Sequence, residues 1–240
     1  MASILITGSS DGLGRLAAQA LLAGGHDVIV HARNLARLSA CQDLLDAGAR
    51  GVHGDLSDQD EVRGIAEQVN RLGQPDSVIH NAGVLDGPVL SVNVVAPYLL
   101  TALLPDAGRH VYLSSSMHRG GSPKIDRYDF AHPDAASYSD SKFLVTALML
   151  ALARLRLDIL ANAVDPGWVP TKMGGTGAPD DLDDGWRTQA WLAAGPDAAA
   201  HGSGGYWHHR RRQDPHPQTA DAGVQDELLV KLAEHTGVGW

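Results

Sequence analysis

Tyr138 and Lys142 stand four residues apart in "AASYSDSKFLV", at the front of an otherwise apolar run. On a helix this spacing projects both from one face. A free phenol, with a pKa near 10, is too weak an acid–base group for neutral pH. A neighbouring ammonium favours the phenolate and moves it toward useful range. Ser114, Ser115 and Ser116 close a strand-like run, "RHVYLSSS", and a hydroxyl from this group can hold a substrate oxygen at hydrogen-bonding distance. A phenol, an ammonium and a serine together suit carbonyl/alcohol redox chemistry. The phenol moves the proton while a hydride passes between the carbonyl carbon and a nicotinamide.

Such groups must be positioned, and the chain reads as alternating short apolar strands and amphipathic helices. Strands are expected at Ser3–Thr7, His26–Ala32, Ala49–Asp55, Asp76–Asn81, Arg109–Ser116, Asp158–Asp165 and Gly204–His208. Helices are expected near Leu13–Ala23, Leu35–Leu45, Asp58–Leu72, Val92–Leu104, Ser137–Leu155 and Val224–His235. Continuous aliphatic strands separated by helices predict an α/β fold: a Rossmann-like, doubly wound parallel sheet of about seven strands, helices on both faces. There is no linker and no repeat, so residues 1–240 read as one dinucleotide-binding catalytic domain. Residues 170–184 read as a mobile substrate loop, and 209–240 as a polar, Pro-broken tail leading to the final helix.

In such a sheet, ligands gather beyond the carboxyl ends of the strands. Sorted by that rule, Asn81-Ala82-Gly83, the serine run and Pro166-Gly167 end successive strands, and Tyr138 and Lys142 open the helix after the fifth. Thr7-Gly8-Ser9-Ser10-Asp11-Gly12-Leu13-Gly14 links the first strand to its helix. Glycines there permit a tight turn and a close approach of pyrophosphate to the helix N-terminus. An acid at the end of the second strand would select NAD by binding the ribose diol. This strand ends His31-Ala32-Arg33-Asn34, with Ala in that place and Arg33 available to a 2′-phosphate. NADP(H) is therefore favoured, with NAD(H) possible. Asp11 supplies no second basic group.

The TGxxxGxG spacing, with NAG, Ser, Tyr-x-x-x-Lys and PG in that chain order, resembles the short-chain dehydrogenase/reductase family in its compact single-domain, bacterial-type form. The resemblance runs from Ser3 to about Met173. It implies Ser115 as the substrate-orienting serine, Tyr138 as acid/base, and Lys142 as a ribose ligand that lowers the phenol pKa. Asn93 matches the asparagine of a proton relay, although the segment from Asn81 to Asn93 is shorter than in many members. Gly8, Ser10, Gly12, Leu13 and Gly14 would line the pyrophosphate. Asp55 and Leu56 resemble the adenine-contacting pair, with a helix-capping role for Asp55 as the alternative. Pro166, Gly167, Val169 and Thr171 match the loop that holds the nicotinamide carboxamide. The family commonly pairs subunits through the helices after strands four and five, so a homodimer or homotetramer is expected. The apolar run after Lys142 suits that pairing or burial within one subunit.

A formal net charge of −9 argues against nucleic-acid or anionic-membrane partners. The single cysteine, Cys41, gives no internal disulfide and no thiolate cluster. With no leader-like start, a cytoplasmic protein is expected. No metal site is expected: His208, His209 and His216 have no carboxylate or Cys partners at diagnostic spacing and read as a polar tail. Arg210–Arg212 read as a solvated run. Trp168, Trp186 and Trp191 are divided between pocket and core, and Asp165 matches no catalytic residue. The substrate is expected to be a small, fairly apolar carbonyl or alcohol. Two other functions keep the same fold: a nucleotide-sensing regulator without chemistry, and an epimerase or dehydratase. Regulators commonly lose Tyr or Lys, both present here; the epimerases resemble longer chains with a distinct substrate domain.

Overall fold

The computed structural model describes residues Met1–Trp240. Eight strands form one sheet: β1 (Ser3–Ile6), β2 (Asp27–Ala32), β3 (Arg50–His53), β4 (Ser77–His80), β5 (Arg109–Leu113), β6 (Leu160–Asp165), β7 (Gly205–His208) and β8 (Arg211–Gln213). Their order is β3-β2-β1-β4-β5-β6-β7-β8. All neighbours pair in parallel except β7 and β8. The order reverses between β1 and β4, and at such a switch point the connections leave in opposite directions and open a crevice at the carboxyl ends.

The sheet has one strand beyond the seven read from the sequence. "HRRRQ" reads as a polar tail, yet Arg211–Gln213 return antiparallel against Tyr206–His208. The turn between them places His209 and Arg210 at φ 46° and 60°. Two left-handed residues make the primed turn that matches strand twist, normally written with Asn and Gly. The charged edge strand is a feature that discourages further strand pairing. A second departure is the expected helix Leu35–Leu45, which is two short helices, α2 (Leu35–Ser39) and α3 (Gln42–Asp46).

Strand alternation sorts the core into two layers. Leu5, Val78, Tyr112, Ala163 and Tyr206 face α4 (Gln59–Leu72), α5 (Ala96–Leu103), α6 (Tyr138–Leu155) and α8 (Ala222–Thr236). Ile4, Ile6, Val30, Val111 and Trp207 face the other way, toward α1 (Gly12–Ala23), α2, α3 and α7 (Leu182–Ala194). The apolar run of α6 is consumed inside one chain: Phe143, Leu144, Leu148 and Leu152 are buried, and α8 packs across the helix. The last residues close the same layer, with Tyr98 donating its Oη–H to the Val238 carbonyl at 2.6 Å and stacking on Trp240. No helix is long and apolar enough to cross a membrane.

Within the α5 layer, His80 and His110 lie buried with Nε2 and Nδ1 3.1 Å apart, and His80 stacks on Tyr112. Burial drives the His110 pKa from 6.5 to about 4 and holds His80 well below its ordinary value. Both are neutral in the folded chain and take up protons near 6.5 once unfolded. Stability is therefore complete above about pH 6.5 and is lost as pH falls toward 4. His110 alone should contribute a loss of about 3 kcal/mol. Urea denaturation at pH 7 and pH 4.5 is expected to show the decline, and His110→Phe should flatten it.

Candidate active site

The glycine turn is set by packing as well as by conformation. Gly8 has φ 63°, and a Cβ there would come within 2.9 Å of Ala82 Cα, across the β1–β4 switch point. Thr7 and Gly8 carbonyls accept the Asn81 amide at 2.9 and 3.2 Å, and the Ala82 N–H donates to Thr7 Oγ1 at 3.0 Å. Gly14 lies so close to Asn81 that any side chain would collide with its amide. The sequence reading missed His31, which pins this turn from below. The Gly8 N–H donates to His31 Nδ1 at 3.0 Å, so the ring proton sits on Nε2 and is donated to the Gly54 carbonyl at 2.9 Å. Burial lowers the His31 pKa to about 4, which keeps that tautomer neutral.

A cleft of about 320 Å³ opens above this turn. It is lined by Gly8, Ser10, Gly12 and Leu13, by Arg33, Asp55 and Leu56, by Asn81, Ala82 and Gly83, and by Thr171. Among expected cofactor ligands, Gly14, Tyr138, Lys142, Pro166, Gly167 and Val169 lie outside its lining. Gly14 packs beneath the turn, and Val169 is buried against Gly185. Asp55 does not cap α4; Asp58 does, accepting the Asp60 and Glu61 N–H groups. Asp55 instead accepts Ser57 N–H and Oγ–H at 2.9 and 2.8 Å. Burial pushes its carboxyl up, but these two bonds and Arg33 outweigh that and hold it below its usual range.

Whether this cleft fits a dinucleotide is tested by its donors. Asp11 stands at the N-cap of α1, yet its side chain caps nothing. The carboxylate turns outward to Lys172 Nζ at 2.6 Å and to Arg37 Nη1 at 3.6 Å. The first-turn amides of α1 are thus left without a side-chain acceptor at a cleft floored with glycine, an arrangement that fits a pyrophosphate. Arg33, 66 % exposed, has its Nε 3.8 Å from Asp55 Oδ2. Arg37 lines the same end of the cleft, so the second basic group absent from the turn comes from α2, one helical turn beyond Arg33. Gly8, Ser10, Gly12 and Leu13 would hold the phosphates, and Arg33 with Arg37 the adenosine end.

Gly83 joins this cleft to the Tyr138–Lys142 pair: a Cβ on it would lie 3.5 Å from Lys142 Nζ and 3.3 Å from Asn93 Oδ1. Lys142 and Tyr138 are fixed by the first turn of α6, where Ser137 and Asp140 form a reciprocal capping box. Asp140 also accepts the Tyr128 phenol at 2.7 Å. Lys142 is buried and donates from Nζ to the Leu113 carbonyl at 2.7 Å. Its Nζ lies 5.4 Å from the Tyr138 ring centre. Ser115 follows β5 with Oγ accepting the Met117 N–H at 3.2 Å, whereas Ser114 is buried under α6 against Thr146 Oγ1 at 2.7 Å. Asn93 sits in a wide π-type turn, Ser91–Val95, that starts the short crossover. Its amide is fully engaged, accepting the Val84 N–H and donating to the Val84 carbonyl and Ser141 Oγ.

The electrostatics differ from the sequence expectation. Burial pushes the Tyr138 phenol up to about 12, the Ser115 hydroxyl works against it, and Asp165 adds to it. Burial brings Lys142 down to about 8, opposed by Asp165. In the chain alone, desolvation outweighs any help that the ammonium gives the phenol, and Tyr138 holds its proton at neutral pH.

The sheet order, the glycine turn and the Tyr–Lys pair define a class, and comparison with known proteins agrees. A family model described as short chain dehydrogenase matches residues 2–105. The chain is 36 % identical to the short-chain dehydrogenase chry4 of Gibberella zeae, covering 99 % of this chain and 98 % of that one. It is 30 % identical to a Streptomyces protein described as a daunorubicin C-13 ketoreductase, DnrU, over 98 % of this chain and 92 % of the other. Among solved structures, a protein of Escherichia coli CFT073 described as a short chain dehydrogenase in complex with NADPH superposes with a TM-score of 0.71 at 25 % identity, covering 88 % of this chain and 97 % of that one. The chain belongs to the short-chain dehydrogenase/reductase family of oxidoreductases.

The close contact at the switch point gives a direct test. Gly8→Ala is strained at φ 63° and drives a methyl into Ala82, and is expected to destabilise the fold by about 1–3 kcal/mol. A lowered urea midpoint, with weakened NADPH binding measured by cofactor fluorescence, checks it.

Proposed function

We propose that the protein is an NADP(H)-preferring reductase of ketones or aldehydes, with Tyr138 as its proton donor. The observation that carries the reading is the meeting, at one edge of the sheet, of Tyr138, Lys142 and Ser115 with a cleft whose helix N-terminus is uncapped and whose far end holds Arg33 and Arg37. A bound nicotinamide cofactor supplies the hydride for this chemistry. Ser115 Oγ orients the substrate oxygen, and Tyr138, protonated at neutral pH, delivers its proton to that oxygen. Lys142, anchored on Leu113, holds its charge beside the phenol and within reach of a ribose at Gly83. Asn93 fixes the Gly83–Val84 backbone beside them. Thr171, in the cleft lining, would hold the nicotinamide end, with Pro166 and Gly167 earlier in the same loop.

The cofactor preference rests on the two arginines and on the absence of an acid at Ala32. The NADPH-bound relative points the same way. The substrate side is apolar: Leu85, Met117, Trp168 and Met173 are exposed on the loops that follow β4, β5 and β6. A small, fairly apolar carbonyl compound suits that rim.

NADPH oxidation followed with a panel of ketones, aldehydes and quinones is the test. Tyr138→Phe is expected to lower kcat by about 10²–10⁴-fold while cofactor binding persists. Binding without turnover in the unmodified protein, across the whole panel, would point to a nucleotide sensor instead. Arg33→Asp is expected to weaken NADPH binding by roughly 10–100-fold, the worth of a charge-assisted hydrogen bond, and to spare NADH. Tighter NADH than NADPH binding in the unmodified chain would overturn the preference.

A further inference from the structure

β5 ends at Leu113, and one further bond to the sheet runs from the Ser114 N–H to the Val164 carbonyl at 2.7 Å. Ser115 stands past that bond, so the turn Ser116–Gly120 must hold it in place. The His118 N–H closes this turn on the Ser115 carbonyl at 3.0 Å, a bond that any residue except proline would make. The His118 ring adds a second donor to the same carbonyl, from Nδ1 at 2.7 Å. Its other nitrogen, Nε2, lies 2.9 Å from the His216 backbone nitrogen. A backbone N–H can only donate, so Nε2 is the bare nitrogen and the ring proton sits on Nδ1. We propose that His118 is a positioning residue: its neutral ring ties the Ser115 carbonyl to the C-terminal segment around His216, which makes that segment part of the active-site edge.

A strut works only if both of its ends are fixed. The His118 ring is fully buried and lies against Tyr206 of β7, with ring centres 4.7 Å apart. Its neighbour Arg119 donates from Nη2 to the Asp214 carbonyl at 2.5 Å, so two consecutive residues of the turn grip the same segment. On the far side, the His216 ring packs edge-on against Phe143, the residue after Lys142 on α6, with centres 5.3 Å apart. Thr219 Oγ1 donates to the His216 carbonyl at 2.6 Å, and the Gln225 amide of α8 donates to the Thr219 carbonyl at 2.9 Å. A stretch that reads as polar tail in the sequence is thus wedged between the serine turn and the helix that carries Tyr138 and Lys142. The Ser115 hydroxyl accepts the Met117 N–H at 3.2 Å, and its aim follows the backbone of the turn. The catalytic side of this role rests on the reductase reading, in which that hydroxyl orients the substrate oxygen. A misplacement of about 1 Å there costs on the order of 10²-fold in rate.

His118→Phe keeps a ring against Tyr206 and removes both side-chain hydrogen bonds. His118→Asn places an amide N–H near the position of Nδ1 and restores the donor to Ser115. Amide hydrogen exchange in the full chain without nucleotide reads the serine directly, because the Met117 N–H is bonded to its hydroxyl. In His118→Phe, exchange at Met117 and His216 is expected to quicken by about tenfold, the worth of one hydrogen bond, while the ladder amides of β5 keep their wild-type rates. In His118→Asn the Met117 rate should return toward wild type and the His216 rate should not. Met117 exchange within about twofold of wild type in His118→Phe would overturn the proposal. If His118→Phe does not fold, the ring nitrogen resonances of His118 in the unmodified chain decide: a bare Nε2 is expected, and a proton on Nε2 would defeat the proposal. With a substrate found in the panel, His118→Phe should lower kcat by about 10–100-fold and leave the NADPH dissociation constant within about twofold, and His118→Asn should recover most of the rate. An unchanged kcat in His118→Phe would count equally against it. No turnover of any panel compound by the unmodified chain would sink the reductase reading instead, and the exchange rates and the tautomer would still decide the strut.

Discussion

A buried ammonium is the demand around which the working edge of this sheet is arranged. Lys142 sits under α6 with one carbonyl to bond, and moving its pKa from 10.5 to about 8 corresponds to roughly 3 kcal/mol. The same helix buries Phe143, Leu144, Leu148 and Leu152, each worth about 1.5–3 kcal/mol on removal from water. The apolar run therefore outweighs the charge that it carries inside, and it can hold Lys142 at a fixed place. Without that anchor, the lysine would swing to solvent, and the phenol one turn earlier would lose its neighbour.

The rest of the edge follows from the same constraint. The capping box of Ser137 and Asp140 starts α6 at a defined residue, so Tyr138 is presented on its first turn. Gly83 lies where Lys142 Nζ and Asn93 Oδ1 both approach, and a Cβ there would sit in contact with both. On the opposite bank, Gly8 and Ala82 meet where the strand order reverses, and His31 fixes that meeting from the second strand. One bank of the crevice carries the buried Tyr138–Lys142 pair, and the other the uncapped first-turn amides of α1. Both depend on parallel strands ending at one level.

Much of this was legible in the chain. The alternation of aliphatic strands and helices, the glycine turn before α1, and Tyr138 and Lys142 on one helical face are local patterns, and local patterns survive without tertiary knowledge. What escaped was non-local or locally disguised. β8 hides in a run of arginines because its turn uses His209 and Arg210 in the left-handed region, where sequence rules look for Asn and Gly. Arg37 and Lys172 reach the cleft through Asp11, a residue far from either in at least one direction along the chain. His31 reads as a polar interruption of a strand, and only its neighbours Gly8 and Gly54 make it a strut.

The sequence by itself determined the class of fold and the pairing of Tyr138 with Lys142 on one helical face, because periodicity and spacing encode which side chains share a face. Tertiary structure alone decided the protonation of that pair. The phenol at about 12 and the ammonium at about 8 are set by how much water is excluded and by where Asp165 falls. Burial and through-space charge depend on segments brought together from β5, β6, β7 and α6, and no window of sequence contains them all. The covering of α6 by α8 was decided in the same way, by contacts between distant segments.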